Sequence, residues 1–181
     1  PTYTIGEYAQ GGVIFWLTPD GAHGLVASIV DMPGGAPMDL QWTPMDDTIG
    51  ATANGIAFGL DSMGKITTPG KINTDLIVTQ YGAGTTYAAG ACAAYSVTIG
   101  SDTYDNWYLP CLDELGLMMA NQSIIDTGSM MQPGGTSMGT NIYWSSFENY
   151  TNYAWLQVFS DAKQSNVDKT DTYRVRAVRA F

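Results

Sequence analysis

The stretch GGVIFWL-TPDGAH-GLVASIV, residues 11–30, constrains the chain more than any other. Two apolar runs rich in β-branched and aromatic residues flank Pro19-Asp20-Gly21. Pro presets φ there and Gly accepts the left-handed position, so the segment reads as a β-hairpin. The far end of the chain carries three more strand-like runs, IYWSSF, YAWLQVF and YRVRAVRAF. Between the two ends the pattern turns helical. Asn73 and Thr74 stand as a cap ahead of Asp75, Leu76, Ile77 and Val78. TYAAGACAAYS predicts a second helix whose small residues allow close packing. NWYLPCLDELGLMMANQ predicts a third, with Pro110 near its first position and Asp113 and Glu114 at the positive N-terminal end. Leu112, Leu115 and Met119 share one face of it, and Trp107 and Leu109 are expected to be buried alongside. From Met32 to about Gly70 the glycine-rich text reads as long ordered loop anchored by Trp42 and Phe58, and SMMQPGGTSMGTN reads as another loop. Strands at both ends with helices between them predict an α+β domain whose termini are placed to pair in one sheet.

The length suits a single domain, residues 1–181. Hydrophobic residues make up 45% and charged residues 13%, against ~25% charged in typical soluble domains. Gly, Ser, Thr, Asn, Gln and Tyr must then cover most of the surface, a profile that suits a secreted or cell-surface protein. A formal charge of −10 argues against nucleic acid as a partner and against an anionic membrane surface. No stretch approaches the ~18–20 apolar residues of a membrane span. The opening PTYTIG lacks a charged-then-apolar leader and reads as a mature product or an excised domain. Two cysteines, Cys92 and Cys111, have neither zinc-site nor CxxC spacing. They fit one disulfide or two buried thiols. The composition leans to the disulfide, which would tie the second helix to the start of the third.

Several motifs imitate active sites and are incomplete. GTSMG at 135–139 has the nucleophile-elbow pattern around Ser137, yet its flanks are Gly, Pro and Met, and the one histidine, His23, lies far upstream. GLDSMGKI at 59–66 approaches a phosphate-binding loop, but Ile66 replaces the hydroxyl that would hold Mg²⁺. Asp46–Asp47 and Asp113–Glu114 are adjacent pairs, unlike two carboxylates facing each other across a glycosidic bond. No calcium-loop spacing occurs. The residues call for no enzyme, cofactor or metal.

The runs YTIGEYAQGGVIFWLTPDGAHGLVAS, INT at 72–74, WYLPCLDEL at 107–115, YWSSFE at 143–148, YAWLQVF at 153–159 and YRVRAVRAF occur in that order. This ordered set resembles the C-terminal domain of the Legionella collagen-like protein (Lcl) family of bacterial adhesins, over nearly the whole chain. The Trp-x-Leu-Pro-x-x-x-Glu-Leu element and the arginine-bearing last strand are also similar to those of formylglycine-generating-enzyme and C-type-lectin-like domains. The resemblance implies a C-type-lectin-like fold with long glycine-rich loops, carried as a homotrimer on a collagen-like stalk at the bacterial surface. It implies adhesion through sulfated glycosaminoglycans and no catalysis. Cys111 departs from the small hydroxyl residue usual after Leu-Pro in such domains.

With 7 lysines and arginines against 17 acids, the place of each cation matters. Strand alternation in YRVRAVRAF puts Arg174 and Arg176 on one side and Arg179 on the other, so one docked polyanion cannot use all three. Structural roles are expected for these arginines, as for Trp107 and Pro110. Glycan binding then falls to four lysines. Lys65 and Lys71 sit in SMGKITTPGKINT, which holds no acid, whereas Lys163 and Lys169 share a loop with Asp161, Asp168 and Asp171. A chain at −10 repels a sulfated glycan at long range, so binding needs a local basic patch, which threefold symmetry could gather. Two functions stay open. One is an adhesion head for sulfated glycosaminoglycans or other anionic polysaccharides. The other is a trimerisation and protein-interaction module using exposed aromatics and methionines.

Overall fold

A computed structural model of the chain describes residues 1–34, 39–52 and 58–181. The first strands are β1 (Tyr8–Ala9), β2 (Gly12–Leu17), β3 (Gly24–Asp31), β4 (Leu40–Gln41), β5 (Gly59–Leu60) and β6 (Ile66–Thr67). Helices α1 (Pro69–Tyr81) and α2 (Ala88–Ala94), strands β7 (Val97–Ile99) and β8 (Asp102–Tyr104), and helices α3 (Leu112–Ala120) and α4 (Gln122–Met130) fill the middle. β9 (Ile142–Asn149), β10 (Tyr153–Val158), β11 (Gln164–Asp168), β12 (Thr172–Tyr173) and β13 (Arg176–Ala180) follow.

The hairpin of residues 11–30 is β2 and β3, with Val13 opposite Ala27. β1 and β13 flank it in an antiparallel sheet of order β1-β2-β3-β13, which brings the two ends of the chain together. β11-β10-β9 form a second sheet, and β12-β4, β5-β6 and β7-β8 are two-stranded ribbons. The C-type-lectin-like fold implied by the resemblance is therefore overturned: the described residues form five small antiparallel sheets with four helices among them. The cause is that pairing is repeatedly cut short. Register shifts break β2–β3, β3–β13 and β9–β10, and each bulge bends its strand away from a longer ladder.

The helices differ from expectation in ways the local chemistry explains. α1 begins at Pro69 behind Thr68, one turn before the expected cap at Asn73 and Thr74. Proline at the first helical position lacks only an N–H that would have been orphaned there. Asn73 and Thr74 are instead buried inside the helix, where the Thr74 hydroxyl donates to Gly70 O at 2.8 Å and accepts from the Leu109 amide at 3.0 Å. Pro110 stands outside α3, whose cap is Cys111, and the Glu114 carboxylate reaches back to the Cys111 amide at 2.8 Å. α4 begins where the expected third helix ends and takes in Ser129 and Met130, the first residues of the expected loop. It lies against β2, and a Cβ on Gly128 would come within 2.8 Å of Val13 Cγ1.

The long segment after Met32 is held by polar contacts inside the core. Trp42 and Trp144 are both fully buried and exchange indole bonds: Trp42 Nε1 donates to Ser145 O at 2.7 Å, and Trp144 Nε1 donates to Leu40 O at 2.8 Å. Phe58 meets the Trp16 ring edge-on at 5.1 Å. Glu148 accepts from the amides of Ile49 and Gly50 at 2.9 and 2.6 Å. Lys169, fully buried, gives its ammonium to Glu148 Oε1 at 2.6 Å, Asp47 O at 2.6 Å and Thr151 O at 2.7 Å, and sits 4.9 Å above the Trp42 ring. Lys169 therefore lies in the core and is out of reach of a glycan. Burial requires that such a charge be neutralised and its donors satisfied, and here both are.

α1, α3 and the approach to α3 meet at Glu114. This residue is fully buried and accepts from the Tyr108 hydroxyl at 2.8 Å as well as from Cys111. Gly70 packs so close that a Cβ there would lie 2.3 Å from Glu114 Oε2, so this contact between helices requires glycine. Loss of hydration pushes the Glu114 carboxyl up to about 7.

Two stability measurements test these interior charges. Lys169→Met leaves Glu148 buried without its cation and should cost about 3–5 kcal/mol in chemical denaturation. A loss below ~1 kcal/mol would mean that Glu148 finds water or another partner. The second test is pH. The folded chain holds the Glu114 proton more tightly than the unfolded chain, so this group's contribution is largest below about pH 4.5 and falls as pH rises through about 7. The span is on the order of 3 kcal/mol. Melting temperature should decline from pH 5 to pH 8 less steeply in Glu114→Gln than in the parent chain, and equal slopes would refute the assignment.

Candidate functional site

The last strand and the residues leading into it place three arginines as girders. Arg176 is fully buried, donating to Asp31 Oδ1 at 2.9 Å, Ser129 Oγ at 3.1 Å and Thr136 O at 2.9 Å. Tyr143 adds its hydroxyl to both Asp31 oxygens at 3.2 Å. Burial pushes the Asp31 carboxyl up while Arg176 and Tyr143 pull it down. Arg174, half-buried, bonds Asp39 Oδ1 through Nε at 2.8 Å and stands 3.8 Å from Asp31. Arg179 is on the opposite side, donating to Asp105 O at 2.9 Å and Gln10 Oε1 at 3.2 Å, with Tyr104 beneath its guanidinium at 5.3 Å.

The four lysines are not brought together. Lys71 pairs with Asp75 one helical turn on, at 2.6 Å, and Lys163 pairs with Asp161 at 2.7 Å. Asp161 holds the Lys163 ammonium above its usual range, chiefly through that hydrogen bond. Lys169 is in the core. Lys65 is exposed and makes no ion pair among the described residues.

Lys65 borders a groove of about 380 Å³ whose walls are His23, Met63, Gly64, Ile66, Ala180 and Phe181. The β5–β6 ribbon builds one wall. Asp61 closes its turn by accepting from the amides of Met63 and Lys65 at 2.8 and 2.9 Å, both on Oδ1. The end of the first sheet builds the other wall. Phe181 packs edge-on to Tyr3 at 5.0 Å, and His23 Nδ1 lies 3.2 Å from Phe181 O. The groove thus offers an ammonium beside an aromatic ring, a thioether and an aliphatic wall. Such a set suits a ligand with an acidic group on a partly apolar ring. Lysine in an acid-free stretch was the signal in the sequence; the pairing of that ribbon with residues 23 and 180–181 was not legible there.

The remaining candidates lie apart. Cys92 and Cys111 are both buried and free, without the expected bond between them, and burial pushes both thiols well up. Cys92 sits in the main core cluster, whereas the Cys111 sulfur caps α3 by accepting from the Glu114 amide. Trp107 is buried with its indole on Tyr104 O at 3.0 Å, and Pro110 is buried beside it. Ser137 donates to Asp126 at 2.9 Å. No group of three or more metal-ligating side chains occurs among the described residues, and no helix described is long and apolar enough to cross a membrane.

No protein-family model and no curated protein matches the sequence. Among solved structures, the chain is similar to a fimbrial protein from Bacteroides ovatus, at a TM-score of 0.52 and 17% identity. The match covers 91% of this chain and 37% of that one, so the chain spans little more than a third of the fimbrial protein's length. At that identity the likeness is one of fold, and the shared architecture of small sheets and helices is that of a fimbrial protein rather than the lectin-like one expected.

Proposed function

We propose that the chain is an adhesion-type domain displayed at a bacterial surface, and that it holds an anionic saccharide beside Lys65. The observation that carries this reading is the groove itself, where an exposed lysine with no ion pair among the described residues shares the lining with Phe181 and Ile66. The fold shared with a fimbrial protein supports a surface role, and the resemblance to the collagen-like adhesins supports a sulfated glycosaminoglycan as ligand. A single lysine gains little against a net charge of −10. The reading therefore includes a homotrimer, in which one polyanionic chain touches several Lys65 grooves and gains by effective concentration. The role is one of binding, without cofactor or chemistry. A second reading, a protein-interaction module, is favoured by the exposed apolar side chains of Met130, Met131 and Ile5.

Heparin is the probe. Lys65→Ala should weaken its binding at least about fivefold and flatten the salt dependence. Lys71→Ala and Lys163→Ala should do less, because each ammonium is already matched by an aspartate. Unaltered heparin affinity in Lys65→Ala, or binding indifferent to salt, would refute the site.

A further inference from the structure

We infer that a second site, built around the Arg174–Asp39 pair, takes a neutral oligosaccharide. Two grooves of about 370 Å³ each lie side by side along the β4–β12 ribbon. The first is bordered by Asp39, Thr140, Asn141, Thr172, Tyr173 and Arg174. The second is bordered by Gln41, Thr85 and Thr86, and it shares Asp39 and Thr172 with the first. The shared Asp39 and Thr172 set the two compartments next to each other, with a combined space larger than one sugar ring needs.

The chemistry of the cleft selects the ligand. Its polar side chains are hydroxyls and amides set among the apolar Pro33, Leu40 and Ile142, with a single carboxylate and a single guanidinium that neutralise each other in an ion pair of 2.8 Å between Nε and Oδ1. Asp39 keeps a second carboxylate oxygen, and Arg174 keeps Nη2, neither with a partner among the described residues. An acceptor held beside a donor matches vicinal hydroxyls, each of which both gives and accepts a hydrogen bond. Tyr173, half-buried and braced edge-on by Trp144 at 5.0 Å, supplies an aromatic surface for sugar C–H groups.

The pair is also held in place beforehand. Arg174 stands 3.8 Å from Asp31, which is buried and clamped by Arg176 and Tyr143, so the core orients the guanidinium before any ligand arrives. A sulfated or carboxylated ligand would meet Asp39 and the background of −10. A neutral one meets neither penalty. This site does not depend on Lys65.

The test uses the intact chain with maltohexaose, cellohexaose and mannohexaose in turn, read by calorimetry and by backbone amide shifts. At least one should bind with affinity unchanged between about 50 and 500 mM NaCl, because no net charge is matched. The shifted amides should centre on residues 39–41, 85–86, 140–141 and 172–174. Asp39→Ala removes the acceptor, and Thr172→Trp fills the shared wall. Both positions are exposed, so the variants should melt near the parent temperature while losing at least about tenfold in affinity. Lys65→Ala should leave this binding intact, and Asp39→Ala should leave heparin binding intact, which separates failure of one site from failure of the other. Absence of binding by all three sugars overturns the inference. So do shifts centred elsewhere, a steep salt dependence, or undiminished affinity in both cleft variants.

Discussion

A buried ammonium organises the part of the molecule that secondary structure does not. Lys169 lies between β11 and β12 and gathers Glu148 from β9, the carbonyl of Asp47 from the long segment and the carbonyl of Thr151 from the β9–β10 turn. Glu148 in turn takes the amides of Ile49 and Gly50. Backbone that has no strand or helix to satisfy it thus finds its partners in one ion pair. A buried pair of this kind need not add net stability over an apolar one, because desolvation offsets much of the attraction. What it specifies is position. Without it residues 47–52 would lose the groups that satisfy them against the second sheet.

This use of charge reverses the ordinary arrangement. Most proteins keep cations outside, and here Lys169 and Arg176 are fully buried while Arg174 and Arg179 are half-buried. Lys71 and Lys163 are each matched by a neighbouring aspartate. The outer surface is consequently acidic and hydroxyl-rich, with Lys65 as its local exception. Any anionic ligand has few places to settle, and the Arg174–Asp39 cleft falls to ligands without charge.

Some of this was legible in the sequence for reasons that are local. The β2–β3 hairpin is written in Pro19-Asp20-Gly21 and its flanking apolar runs, and the start of α3 in Asp113 and Glu114. The two-sided placement of Arg176 and Arg179 follows from strand period alone. What failed depends on partners distant in the chain. Asn73 and Thr74 look like a cap until Leu109 is known to need the Thr74 hydroxyl. Cys92 and Cys111 look like a pair until their separate packing is seen. Lys169 looks like a loop lysine because its partners lie 122, 21 and 18 residues before it in the text. The lectin-like expectation failed similarly, since bulges that break a ladder leave little trace in composition.

The pairing of β13 with β3 has a consequence for the order of assembly. Arg176 neutralises Asp31 from 145 residues away, and the same guanidinium satisfies Ser129 and Thr136. As the chain leaves the ribosome, Asp31 emerges long before its counter-ion. A lone carboxylate is costly to bury, so the first sheet closes around Asp31 only once the chain as far as Arg176 has been synthesised. Closure of the first sheet is then a late, long-range event. Until it occurs β3 keeps an unpaired edge where β13 will later lie.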